Sequence, residues 1–127
     1  MREVDPAAVI VDRALRRMDP ACEAALEMVI AVYGARAGDV ALSCGATGGV
    51  YLAGGITLRI RERLGRTFMD AFLDKGRLRA WLEAIPVRAI GRDDAGLLGA
   101  AVAALPETAR RPVLRLPPDD AGRRVQP

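Results

Sequence analysis

The stretch Gly48-Gly49-Val50-Tyr51-Leu52-Ala53-Gly54-Gly55-Ile56 decides the reading of the fold. Its centre, Val50 to Ala53, is a short apolar run fenced by a pair of glycines on each side. A run of that length suits a strand buried on both faces, as in the sheet of an α/β protein. Glycine at a strand end permits positive φ and lets a ligand approach the backbone with no Cβ in the way. Ligands of open α/β sheets sit just beyond the carboxyl ends of strands. Gly54-Gly55 is therefore better placed for a ligand than Gly48-Gly49, and two tight turns around a buried strand remain the other reading. The pattern is neither GxGxxG nor GxxxxGK[ST].

Upstream, Asp5-Pro6 and Asp19-Pro20 each place a carboxylate cap before a proline at the first helical position. They predict helices over 6–17 and 20–43. In the second, Leu26, Val29, Ile30, Tyr33, Ala37, Val40, Ala41 and Cys44 recur with the period of one buried face. Gly34 and Gly38 lie within it and each costs about 1 kcal/mol against Ala, which marks them as close-packing points against another helix.

Downstream, helices are expected over 58–64, 68–74 and 77–84, the last with Leu78, Trp81, Leu82 and Ile85 on one face. Pro86 ends it, and 87–90 reads as a second strand. Asp93-Asp94 caps a small-residue helix over 95–105, where Gly96 and Gly99 share one side and offer a tight seat, against Gly34 and Gly38 among the candidates. The stretch 106–127 has no period and several prolines, and reads as a disordered tail. Two strands do not make a stable sheet alone. The expectation is thus the end of a larger α/β domain, with the missing strands N-terminal to Met1 or on a partner.

The chain has 127 residues, enough for one domain or a piece of one, and 51% are hydrophobic against only 4% aromatic, so its core must be aliphatic and alanine-based. There is no His, which removes Ser–His–Asp triads and imidazole acid–base work. The charge of +3 comes from interleaved Arg rather than a basic run, which argues against nucleic acid. Cys22 and Cys44 are too few for a zinc framework and read as small buried hydrophobes. No apolar stretch reaches membrane-spanning length and no signal region opens the chain, so the location expected is the cytoplasm. Lys75, the only Lys, lies beside Asp70 and Asp74 and reads as a solvated helix end. Ser43 and Thr47 have no base nearby in sequence.

Three segments together resemble the C-terminal part of bacterial glucokinase, of the actin-like sugar kinase superfamily. They are Gly48 to Ile56; Ala71-Phe72-Leu73-Asp74-Lys75-Gly76-Arg77 followed by Ile85-Pro86-Val87; and Ala95-Gly96-Leu97-Leu98-Gly99. The resemblance covers about 4–105, a partial lobe carrying the adenosine motif. It implies an α/β fold, the C-terminal part of the larger lobe of an actin-like (ribonuclease H-like) sugar kinase, helix-rich with few strands. It further implies ATP-dependent phosphorylation of glucose to glucose 6-phosphate, with ATP and Mg2+ as cofactors of the complete enzyme. Gly48, Gly49, Gly54, Gly55 and Ile56 look like its nucleotide-binding segment, and Gly96 and Gly99 like its hinge helix, where small residues let lobes close. The family's base aspartate, phosphate loops and sugar-binding carboxylates lie upstream of these segments, and nothing in 1–40 matches them. The resemblance therefore implies no catalytic residue and no metal ligand here, and a chain inactive alone. A missing N-terminal half or a homodimer would supply the neighbours. The alternative is a non-catalytic interaction or regulatory module derived from such a lobe.

Overall fold

The computed structural model describes residues 5–109 and 123–125. The elements follow one another as α1 (Pro6–Leu15), α2 (Pro20–Cys44), β1 (Val50–Leu52), α3 (Gly55–Ile60), α4 (Arg66–Leu73), α5 (Arg79–Glu83), β2 (Val87–Ala89), α6 (Ala95–Ala104) and β3 (Arg123–Arg124). A 3-10 turn at Gly76–Leu78 leads into α5.

Both Asp-Pro starts behave as local chemistry requires. The Asp5 carboxylate accepts from the Ala7 amide at 3.0 Å, and Asp19 from the amides of Ala21 at 2.9 Å and Cys22 at 3.4 Å. These amides hold the Asp19 carboxyl below its usual range. At the other end of α2, Gly45 turns left-handed at φ 57°, and the Ala46 amide reaches back to the Ala41 carbonyl at 3.0 Å. Only glycine takes that conformation without a Cβ penalty.

The core forms where α2 meets α4. Leu26, Ile30, Gly34, Ala37, Gly38 and Ala41 are the buried positions of α2, and Phe68 and Phe72 those of α4. Tyr33 meets the Phe68 ring edge-on at 5.5 Å, and Phe68 and Phe72 stack at 6.2 Å. Gly34 and Gly38 are the close-packing points expected, and their partner is the α4 backbone. A Cβ at Gly34 would overlap the Phe68 carbonyl, and one at Gly38 would lie 2.5 Å from that of Phe72. The pairing with Gly96 and Gly99 does not occur: among the described residues, no neighbour from another element lies within 4 Å of a Cβ placed on either.

β1 and β2 run parallel, with Val50 opposite Val87, Tyr51 opposite Arg88 and Leu52 opposite Ala89. The chain between them makes the long crossover that parallel strands need. β3 adds antiparallel to the far side of β2, so the order is β1-β2-β3. This short strand, with Val125 buried beside it, differs from the reading of 106–127 as structureless. The non-local pairing with β2 carries no sequence signal; the rest of that stretch beyond 109 lies outside the described residues apart from 123–125.

Several expected burials are corrected. β1 is covered on one face only: Leu52 is buried, whereas Tyr51 is 53% exposed and carries the Arg88 guanidinium at 5.9 Å from its ring centre. Val29 and Val40 of α2 are exposed, as are Leu78 and Trp81, because none of the described residues covers those sides. Cys44 is exposed and Cys22 only half-buried. Lys75 is no solvated end: it pairs with Asp39 at 2.7 Å and is 17% exposed. Asp94 makes no side-chain cap on α6; both its oxygens accept from Arg92 at 2.8 Å. α3 starts at Gly55, three residues before the expected position, so Gly55 and Ile56 are helical rather than loop.

Candidate functional site

The parallel register sets the geometry of the candidate site. The carboxyl ends of β1 and β2 lie side by side, joined by the Ile90 amide donating to the Leu52 carbonyl at 2.8 Å. Gly54, Gly55 and Ile56 leave β1 there, and the segment leading to α6 leaves β2 there. Gly91 of that segment faces the Arg61 guanidinium, 3.7 Å from a Cβ placed on it. Gly48 and Gly49 stand at the opposite end of β1. Four residues lie between Gly49 and Gly54, a span of five extended steps or about 16 Å.

The two glycine pairs meet different surroundings. Gly49 has φ 123°, and a Cβ on it would lie 3.0 Å from the Pro86 carbonyl, so glycine there lets β1 enter the sheet beside Pro86. Gly54 has φ 102° and ψ 169°, a conformation open to glycine alone. Among the described residues, nothing lies within 4 Å of a Cβ built on Gly48, Gly54 or Gly55. The strand exit is therefore open on its outer side, and Ile56 there is exposed.

From below, the same turn is held by a polar pair that sequence reasoning missed. Thr57, in the first turn of α3, is fully buried. Its hydroxyl donates to the Ala53 carbonyl at 3.2 Å and lies 3.0 Å from the Tyr33 hydroxyl. A threonine hydroxyl has one proton, so the bond to Ala53 requires Tyr33 to donate to Thr57. The two residues lie 24 positions apart, and the only sequence hint is a small hydroxyl just past a glycine pair.

A second missed network ties α2 to the turn after α3. Glu27 accepts from Arg63 at 2.8 Å and from Thr67 at 2.7 Å. These bonds, the Arg63 guanidinium first, hold its carboxyl below the usual glutamate value of 4.5. The stability they confer is complete above that value and is lost as pH falls through the lower folded value. The side chain is 39% exposed, so after solvent screening the contribution is about 1 kcal/mol or less. Thermal melts from pH 6 to pH 3 are expected to show a decline that Glu27→Gln makes shallower. An identical decline in the variant would assign the effect to other carboxylates.

Among the described residues, no three His, Cys, Asp or Glu side chains converge on a point that could hold a metal ion. Asp94 is neutralised by Arg92, which holds its carboxyl low. The residues present thus do not fit a Mg2+ site. A groove of about 400 Å³ opens at the entering end of β2, lined by Met69, Leu73, Ile85, Pro86 and Val125. It lies at the other end of the strands from Gly54, and the one ionisable wall residue, Glu83, is paired with Arg79. Gly96 and Gly99 sit on α6, none of whose residues is buried and whose Leu97 is 76% exposed. No described helix is long and apolar enough to cross a membrane.

Known proteins resemble this chain along most of its length. The family model described as Glucokinase matches residues 1–107. The glucokinase of Nitrobacter hamburgensis is 46% identical over 95 residues, covering 74% of this chain and 30% of that protein. The glucokinase of a Synechocystis strain is 40% identical over 104 residues, covering 81% and 29%. Among solved structures, the glucokinase from an Antarctic psychrotroph superposes with a TM-score of 0.66 at 34% identity, over 80% of this chain and 31% of that one. The chain spans about 30% of the length of the curated relatives it matches.

Proposed function

Because the chain belongs to the glucokinase family, we propose that it forms one wall of the nucleotide site of an ATP-dependent glucose kinase. The reaction of the whole protein is transfer of the γ-phosphoryl of ATP to the 6-hydroxyl of glucose. The observation that carries this reading is the open strand exit at Gly54-Gly55, next to the end of the parallel strand β2. Gly54, Gly55 and Ile56 contact the adenosine, and Gly48 and Gly49 belong to the same motif by setting the entry of β1. Gly96 and Gly99 make α6 the hinge helix against the rest of the lobe. Mg2+ and the phosphates are held by residues that family resemblance places upstream of these segments. The site works in the cytoplasm, on glucose and ATP.

This assignment has a specific consequence. A wall that touches adenosine and no phosphate does not discriminate between ATP and adenosine. In a titration followed by amide NMR, both are expected to move the signals of Gly54, Gly55 and Ile56 with half-saturations within about threefold of one another. A folded sample in which neither ligand moves these signals would overturn the nucleotide reading.

One observation favours a second reading, the non-catalytic interaction module. Met28, Val29 and Val32 on α2 and Leu97 and Leu98 on α6 are exposed apolar side chains, more than a surface in water needs. Under the kinase reading the remainder of a complete glucokinase covers them; under the second, another protein does. Concentration-dependent self-association in sedimentation would point to a homodimer.

A further inference from the structure

We propose that Tyr33 and Thr57 are positioning residues that set the orientation of the Ala53–Gly54 peptide, and with it the nucleotide-facing backbone at the exit of β1. The proposal rests on the nucleotide reading above and assigns the control of that site to two side chains outside it.

The argument starts from Gly54. Its backbone lies where other residues pay a steric cost, and none of the described residues packs within 4 Å of its outer side. The turn is therefore held from one direction only. The Leu58 amide donates to the Gly54 carbonyl at 3.2 Å, which closes the first turn of α3 but leaves the preceding peptide free to rotate. The Ala53 carbonyl belongs to that preceding peptide, and the Thr57 hydroxyl bonds it. Rotating the peptide would carry the Gly54 N–H with it, so this bond aims the first amide a ligand would meet.

Thr57 in turn is not self-sufficient. Its oxygen is fully buried, and a buried hydroxyl that donates still needs its lone pair satisfied. Tyr33 supplies the proton. The Tyr33 ring stands edge-on against Phe68, in the rigid α2–α4 core where Gly34 brings the two backbones together. A chain of contacts therefore runs from that core through two hydroxyls to the Ala53 carbonyl. An apolar side chain at position 57 would fill the same space and leave the carbonyl unaimed.

The test uses the full chain with adenosine as probe and three variants. Thr57→Val keeps shape and loses both bonds, Tyr33→Phe keeps the ring on Phe68 and loses the donor, and Thr57→Ser keeps the hydroxyl. Amide hydrogen exchange at Leu58, whose N–H bonds the Gly54 carbonyl, is expected to quicken about tenfold in Thr57→Val and Tyr33→Phe. The adenosine half-saturation is expected to rise about fivefold in both, with Thr57→Ser within about twofold of the parent. Exchange and half-saturation at parental values in Tyr33→Phe or in Thr57→Val would overturn the proposal. So would equal losses in Thr57→Ser and Thr57→Val, because packing alone would then account for them. If adenosine fails to move the parent's signals, the nucleotide reading falls and the assignment to that site falls with it. Faster exchange in the variants would then show that the hydroxyl chain itself exists, so the two failures are told apart.

Discussion

The purified 127-residue chain, given ATP, Mg2+ and glucose, is expected to form no glucose 6-phosphate above background. The acceptor hydroxyl must lose a proton, and a positioned base is worth about 10²–10⁴ in rate. The transferred phosphoryl further needs donors and a cation around its oxygens, which supply most of the remaining acceleration. Several acidic groups that sequence alone leaves open are already committed: Glu27 to Arg63 and Thr67, Asp39 to Lys75, Asp94 to Arg92. None stands beside another carboxylate in a metal-holding group. Mixing the chain with the part of the Nitrobacter hamburgensis relative that it does not match is expected to give turnover, since the uncovered faces of α2 and α6 then find their neighbours. A coupled assay reads both arms. Glucose- and ATP-dependent turnover by the pure chain would sink the prediction, and a base among its own residues would have to be found.

Gly34→Ala is expected to cost about 3 kcal/mol of stability, although alanine is by about 1 kcal/mol the better helix former. The reason is the obstacle. The added methyl meets the Phe68 carbonyl, part of a helix backbone that cannot swing aside as a side chain would, with the Phe68 carbonyl carbon at 3.0 Å and its Cα at 3.1 Å. To admit it, α4 must move away from α2, which loosens Phe68 and Phe72 together. Gly38→Ala meets the Phe72 carbonyl at 2.5 Å and the end of Lys75 at 3.0 Å, and should behave alike. Gly99→Ala is the control: α6 has open space there, so the helix preference acts alone and the change is neutral or stabilising by up to about 1 kcal/mol. Denaturant unfolding of the three variants decides it. Equal stabilities for Gly34→Ala and Gly99→Ala would mean that α2 and α4 are not in close contact in solution.

Much of the architecture was legible because its causes are local. Asp5-Pro6 and Asp19-Pro20 start helices by capping and by a missing amide, both within a few residues. Gly34 and Gly38 advertised a close approach because helix-weakening residues four apart have little other use. The glucokinase resemblance was legible for another reason, since the Gly48–Ile56, Asp74–Arg77 and Ala95–Gly99 segments carry recognisable order and spacing. Local signals had less to say where an outcome depended on distant partners. The start of α3 was misplaced because Gly54-Gly55 looks like a loop by itself, whereas the Thr57 bond to Ala53 and the burial of Thr57 draw Gly55 into the helix.

By itself, then, the sequence determined most of the helices, the existence of the strands at 50–52 and 87–89, and the family, all of which rest on capping, period and motif over short spans. Only the tertiary structure decided that Gly49 is packed while Gly54 and Gly55 are open, because that follows from β1 lying parallel to β2 with Pro86 at Gly49 and none of the described residues beside Gly54. It also decided that Lys75 belongs to Asp39, that Glu27 belongs to Arg63, and that Tyr33 reaches Thr57. Those partners are 24 to 36 residues apart in the chain. Hydrogen bonds and ion pairs act over about 3 Å, so whether such groups meet is settled by how α2, α3 and α4 pack and by nothing in their own neighbourhoods.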